Sequence, residues 1–397
     1  MNILVYPHQL VMGGSQINAI ELAAKVRDRG HRVTVTAPDG LLASMIRQFD
    51  LEFVPTPVAS YYPSPRTMVH LIRTARNINA DLIHTYEWRP AVEASFGPHL
   101  VARIPMLMTV LSMHVPGFLP RHVPLLVGTQ ELEEEMRGRG MVDIFEPPID
   151  AESNWCADNA AARAHWAFRD DEVVVSIVCR MTSELHKLEG ALEAIEAVRL
   201  LAGQYPLRLL VVGDGEGFEQ IQRAVNSTNA YFDREVVIVT GSMLDPRDAY
   251  AAADIVIGMG SSSMKGMSFE KPLVVQGTHG YWRLLDEESV GIFLRQGMFG
   301  HYGNGVSDLK EILAGLAVDP IKRRRLGIFG RQLVLQRYSL ESSADRLLSL
   351  YEQTLVQSVT EATWLKSMMR SAFEVTKFRT LMGLRASRDR LLARAAR

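Results

Sequence analysis

Short apolar runs alternate with amphipathic stretches along this chain, and that alternation constrains its fold more than any other feature. Residues 2–6, "NILVY", read as a buried strand; the loop "PHQLVMGGSQ" follows, and "INAIELAAKVRDRG" places Ile17, Ile20, Leu22 and Val26 near one helix face. The strand "HRVTVTA" comes next, and the unit repeats through "LEFVPT", "RTMVHLIRTARNI" and "DLIHTY". "IPMLMTVLS", "PLLVGT" and the helix "QELEEEMRGRG" continue it. Strands alternating with helices predict a parallel sheet covered on both faces.

Two prolines among polar residues in "FEPPIDAESNW" interrupt the pattern and predict a crossing between domains. Beyond it, the strands "EVVVSIVCR", "LRLLVVGDG", "EVVIVTG", "DIVIGMG" and "KPLVVQG" alternate again with helical segments. At 397 residues the chain also exceeds what one core usually organises. The expected organisation is a first domain over residues 1–150 and a second over 151–340. A closing helix over 341–357 and a basic amphipathic extension over 358–397 complete it.

Composition narrows the function. A net charge of -2 with 22% charged residues does not suit a nucleic-acid partner. Cys156 and Cys179 are too few for a disulfide framework or a metal cluster, and the chain starts on an apolar strand. A reducing cytoplasm is the expected setting, with no metal or other cofactor. No apolar run approaches the roughly 20 residues that cross a bilayer, so a membrane is met only from its inner surface. No Gly-x-Ser-x-Gly elbow, paired CxxC, H-E-x-x-H or P-loop occurs, which leaves hydrolase, zinc-enzyme and P-loop kinase readings without their motifs.

Ligands of such folds bind on loops at the carboxyl ends of strands. Gly13 and Gly14 stand between the first strand and helix, where they either admit a phosphate to the helix N-terminus or make a tight turn. In "VCRMTSELHKLEG", Arg180 ends a strand and Lys187 begins a helix. A planar fork and a point charge suit a diphosphate, the alternative being two solvated cations. Gly213, Asp214, Gly215 and Gly217 make either a nucleotide contact or a tight turn. His114 falls on a loop after a strand, and His8, His84, His186 and His279 also fall near strand ends. Gly280, Tyr281 and Trp282 form an aromatic wall or pack the domain. "GMGSSSMKGMSFEKPLVVQG" reads as a loop, a short helix starting near Lys265, and a buried strand.

Taken together over about residues 1–357, these segments resemble the retaining glycosyltransferases of family 4. "MGGSQINAIELAAKVRDRGHRVTV" is similar to the family's opening, "LVGTQELEEEM" to its "VSEEL" segment and "FEPPID" to its "PNGVD" linker. "CRMTSELHK", "VVGDGEGFEQI" and "DAYAAADIVI" are similar to its "GRL…KG", "VGDGP" and "YAAADVFV" segments. The resemblance implies an α/β chain of GT-B fold, two Rossmann-like parallel-sheet domains facing across a cleft, with a C-terminal helical extension. It also implies metal-free, retaining transfer of a sugar from a nucleoside diphosphate to an acceptor hydroxyl, the acceptor being a lipid-linked or small-molecule glycan. Arg180 and Lys187 would hold the donor diphosphate, with Gly14 approaching from the other side. Gly213 and Asp214 would lie near the nucleoside, and His114 near the sugar.

The chain departs from that family where two glutamates, seven residues apart, would flank a glycine-rich turn. Lys265 takes the second position and no glutamate precedes it. Three readings follow. Lys265 could meet phosphate or sugar while Gly260, Ser261, Ser262 and Ser263 replace the carboxylate contacts, because a lysine at a helix start opposes the dipole unless an anion sits there. It could point to solvent. The chain could instead be a non-catalytic sugar-nucleotide-binding scaffold.

From Trp364 on, Lys366, Arg370, Lys377, Arg379, Arg385, Arg388, Arg390, Arg394 and Arg397 face only Glu374 and Asp389. Leu365, Met369, Phe373 and Leu381, with Met368 and Ala372, add an apolar stripe at helical spacing. Such a helix lies on an anionic membrane or packs on its own domain or a second subunit.

Overall fold

Seven strands of the first half form one wholly parallel sheet: β1 (Asn2–Tyr6), β2 (Arg32–Ala37), β3 (Glu52–Pro55), β4 (Leu82–Tyr86), β5 (Met106–Val110), β6 (Leu125–Val127) and β7 (Val142–Ile144). Their spatial order is β3-β2-β1-β4-β5-β6-β7. β4 and β5 are buried along their whole length, which is why they read as unbroken apolar runs and not as alternating ones. The computed structural model describes residues 1–59, 61–155 and 158–395, with side chains as far as Met382. Cys156 and the arginines from Arg385 on therefore lie outside the described side chains.

The second sheet comprises β8 (Val173–Val178), β9 (Leu207–Val212), β10 (Val237–Thr240), β11 (Ile255–Gly258), β12 (Leu273–Gln276) and β13 (Trp282–Leu284). They lie in the order β10-β9-β8-β11-β12-β13. β13 pairs antiparallel to β12, Val274 opposite Leu284, and so modifies the all-parallel expectation at one edge. β7 and β13, at three residues each, are too short to carry a periodicity in the sequence. Both sheets are Rossmann-like, with helices on their faces. In each, winding reverses beside the first strand, between β1 and β4 and between β8 and β11. Ligand crevices of open α/β sheets form at such switch points.

The chain divides into two compact units, Met1–Glu146 with Ser343–Arg397, and Pro147–Ser342. Within the second, Ile149 donates to the Tyr338 carbonyl (2.7 Å) and accepts from the Leu340 amide (3.2 Å), tying the unit's entry to its exit. The helix Leu340–Val356 mostly serves the first unit. There the Tyr351 hydroxyl lies 2.7 Å from His84 Nδ1, and His84 Nε2 lies 2.7 Å from Thr109 Oγ1. Arg346 pairs with Asp143 (2.9 Å) and Arg29 with Asp345 (2.6 Å) on the surface of the same unit.

The last helix, Glu361–Ala395, buries Trp364, Met368 and Val375. Ser367 Oγ accepts from the Arg121 and His122 amides, and Ser371 Oγ donates to the Phe118 carbonyl (2.6 Å). One face of the extension thus packs on its own unit. Among the described residues no helix is long and apolar enough to cross a membrane.

Candidate functional site

β8 ends at Val178, so Arg180 lies in the following loop and not at the strand's last position. That loop closes on itself through Glu184. Arg180 Nη2 donates to Glu184 Oε2 at 2.9 Å, and Lys187 Nζ stands 3.6 Å from the same oxygen. Two cations therefore converge on one anionic point, and the anion present is a carboxylate of the loop. Lys187 is the more enclosed of the two, its side chain 15% exposed against 47% for Arg180. Burial lowers its ammonium below the usual lysine range, and Glu184 opposes that shift. Leu185 (φ 55°) and His186 (φ 56°) are both left-handed, and the helix Lys187–Leu201 starts immediately after them. Two such residues in succession are costly for side chains with a Cβ and are held by their surroundings. The Gln276 amide supplies one hold by donating to the His186 carbonyl at 2.9 Å.

The loop after β9 locks against the loop after β8. Gly213 has φ 148°, and a Cβ there would stand 1.8 Å from the Cys179 carbonyl oxygen, so only glycine fits. Met181 donates to the Asp214 carbonyl and Gly217 to the Met181 carbonyl, both at 2.9 Å. The Asp214 carboxylate turns back to the Gly215 amide (2.7 Å). Glu216 accepts from the Ser183 amide (3.1 Å) and hydroxyl (3.0 Å), which hold its carboxyl below the usual range. Close loop packing therefore explains these glycines without recourse to a ligand.

After β11 the helix runs from Ser261 to Ser268, with Gly260 at φ 56° as its cap. This corrects the reading that starts the helix near Lys265. The serines make the first turn, because Gly260 alone tolerates the left-handed bend that directs the chain into it. Lys265 occupies the last turn, where a positive charge suits the carbonyl end, so the dipole argument for an anion at Lys265 falls. The lysine is half-buried, and its charge helps to hold down the Asp245 carboxyl, which Arg247 lowers foremost. Ser262 Oγ donates to the Met259 carbonyl (2.9 Å) and accepts from the Met259 amide (3.2 Å). The leading amides of Ser261 and Ser262 belong to the helix positions that have no partner within the helix.

Past β12, three rings from separate loops meet. His279 stands 4.4 Å from His186 and stacks on Tyr302 at 4.9 Å with an interplanar angle of 10°. Backbone bonds from Tyr302 to Thr278 and from Gly303 to His279 pin the two loops together. Trp282 is buried in the second core and donates to Glu193 Oε2 at 2.6 Å, which favours packing over an aromatic wall at "GYW".

In the first unit, Gly14 opens the helix Gly14–Asp28 at the carboxyl end of β1. His114 is exposed on the loop after β5, its carbonyl accepting from Ser112 Oγ at 3.4 Å. Glu87, which no motif singles out, governs that loop. At φ 70° just beyond β4, it accepts from the Leu111 amide (3.2 Å) and the Ser112 hydroxyl (2.7 Å). Burial pushes its carboxyl above the usual range, against those hydrogen bonds. Among the described residues no group of three or more His, Cys, Asp or Glu side chains is placed to hold a metal ion.

The second unit contains the strand ends that carry Arg180, Lys187, Gly213 and Lys265, and there the comparisons with known proteins fall. Residues 172–309 match the model of glycosyl transferases group 1. This group 1 domain covers β8 to β13 and every loop just described in that unit. Solved structures share the fold over about nine tenths of the chain. A glycosyltransferase of Rickettsia africae is 15% identical, with a TM-score of 0.69 over 90% of this chain and 99% of its own. HepE of Anabaena, in complex with UDP, is 16% identical, with a TM-score of 0.69 over 89% of this chain and 100% of its own. TarM of S. aureus is 8% identical, with a TM-score of 0.62 over 88% and 100%. No curated protein matches the sequence. The group 1 domain and the GT-B architecture of these neighbours support a glycosyltransferase.

Proposed function

We propose that this chain is a metal-independent retaining glycosyltransferase, akin to family 4, that moves a sugar from a nucleoside diphosphate to an acceptor hydroxyl. The observation that carries the proposal is the convergence of Arg180 and Lys187 on one oxygen of Glu184, at the carboxyl end of β8 in the group 1 domain. A donor diphosphate takes the place of that carboxylate. Solved HepE structures holding UDP and UDP-glucose support a uridine nucleotide as the first donor to try.

In the proposed reaction the bond from the anomeric carbon to the diphosphate oxygen breaks, and a bond to the acceptor oxygen forms on the same face. The acceptor's proton passes to the departing diphosphate. Arg180 and Lys187 stabilise the charge that develops on it, so positioning and electrostatics supply the rate and no covalent nucleophile is required. Gly213 and Asp214 belong to the nucleoside side of the donor. Gly260, Ser261 and Ser262, with the leading amides of their helix, replace the family's carboxylate contacts to the donor, and Lys265 supports that helix. In the first unit Gly14 and His114 are the candidate contact residues, and the acceptor is a lipid-linked or small-molecule glycan.

Calorimetry with a panel of nucleoside diphosphate sugars, paired with a sugar-release assay, tests the reading. One donor binds and turns over, and Lys187→Ala weakens it about tenfold or more, the loss of one charge-assisted contact. Absence of binding by every donor refutes the proposal. The missing paired glutamates favour one competing reading, a non-catalytic binder, which requires binding without turnover.

A further inference from the structure

The helix Glu361–Ala395 has two apolar faces, and the first unit uses only one of them. Trp364, Met368 and Val375 are buried, and at 3.6 residues per turn they lie together with Ser367 and Ser371. The opposite side carries Leu365, Met369 and Phe373 in successive turns, and they remain 50%, 64% and 67% exposed. Three large apolar side chains in register on an outward face are an unsatisfied surface. Thr376 and Thr380 extend the same line for another turn, and both are exposed.

Charge defines what fits there. Lys366 and Lys377 flank the stripe on one margin and Arg379 on the other, all exposed. From Ala362 to Thr380 Glu374 is the one acidic residue, against Lys366, Arg370, Lys377 and Arg379. Glu361, at the helix start, is paired with Arg103 at 2.6 Å. Apolar side chains along the centre with cations on both margins match the boundary between acyl chains and anionic headgroups. The apolar groups enter the boundary and the lysines reach the phosphates. A helix so placed lies in the plane of the surface and does not span it.

We propose that the outer face of the last helix, centred on Leu365, Met369 and Phe373, docks the protein on an anionic lipid bilayer. Each basic residue near such a surface adds attraction, which decays within a Debye length. Docking is therefore salt-sensitive. It also places the first unit against the membrane without recourse to a spanning segment. The proposal stands on the helix alone and does not depend on the sugar-transfer reading.

Co-sedimentation of the full chain with vesicles tests it, comparing mixed phosphatidylglycerol and phosphatidylcholine with phosphatidylcholine alone. The chain pellets with the anionic vesicles and not with the neutral ones. The triple variant Leu365→Ser, Met369→Ser, Phe373→Ser loses binding about tenfold or more, on the basis of the apolar area withheld. Lys366→Glu with Lys377→Glu loses a comparable factor and removes the salt dependence. All five positions are exposed, and an unchanged thermal melt confirms that the variants fold. Equal pelleting by the native chain and the triple variant overturns the proposal, as does no pelleting at all. A native dimer in light scattering that the triple variant renders monomeric also overturns it, assigning the face to a second copy of the chain.

Discussion

The Glu184 carboxylate holds Arg180 at 2.9 Å and Lys187 at 3.6 Å, and a diphosphate bound at those cations must displace it. Because Glu184 and Arg180 are roughly half exposed, the pair contributes little to stability and much to the charge presented to a ligand. Glu184→Gln is therefore expected to tighten UDP binding several-fold, by about 0.5 to 1 kcal/mol in line with exposed ion pairs, with little change in melting temperature. Titration calorimetry on the native chain and the variant decides it. Equal or weaker binding by the variant means that Glu184 does not compete with the ligand. Lys187 was legible in the sequence because its helix start was, and Arg180 because it follows β8 by two residues. Glu184 was not, since its position depends on Leu185 and His186 turning left-handed, a conformation that neither residue type suggests.

At the scale of elements, the last helix is anchored by a buried pair of histidines. His99 Nδ1 faces the Ile104 carbonyl at 2.8 Å and must donate to it, so His99 Nε2 is an acceptor. It accepts from the Trp364 indole (3.3 Å) and from His122 Nε2 (2.9 Å). Burial lowers His99, and burial followed by the charges of His99, Arg139 and Arg103 lowers His122 to about 4. An unfolded imidazole titrates near 6.5. Between these values the unfolded state binds more protons, so stability rises with pH. The contribution is complete above the ordinary imidazole value and diminishes as pH drops from there towards about 4. Hydrogen exchange in the helix from Glu361 should accelerate across that window, and His122→Leu should flatten the dependence. Exchange that is independent of pH, after correction for the intrinsic rate, would falsify the anchoring role.

The short helix after β11 carries the same lesson. A lysine was visible at a family position, but its place in the last turn follows from Gly260 starting the helix five residues earlier. The stripe on the last helix was legible from its spacing, whereas its division into a packed face and an exposed face required the surface of the first unit.

Across the whole molecule, residues 172–309 carry the match to a family and the second sheet is a unit of its own. A nucleotide bound through Arg180 and Lys187 should therefore stabilise that unit first. At roughly a hundredfold excess over the dissociation constant, linkage predicts about 2.7 kcal/mol of added protection. Hydrogen exchange should show it in β8, β9 and β11, with β3 at the far edge of the first sheet unchanged. Uniform protection of both sheets, or protection of neither, contradicts a donor site built on the second unit.

By itself the sequence determined the class of fold, the two sheets, and which loops end on strand tips. Burial on both faces of a parallel sheet writes itself as local apolar runs, and each run is read without its neighbours. Only the tertiary structure decided which carboxylates meet the cations, which glycines are required by a loop crossing, and which face of the last helix is left over. Glu216 reaches Ser183 across 33 residues and Trp364 reaches His99 across 265. Contacts of that range depend on how strands are ordered and how the backbone turns between them, and no local pattern records either.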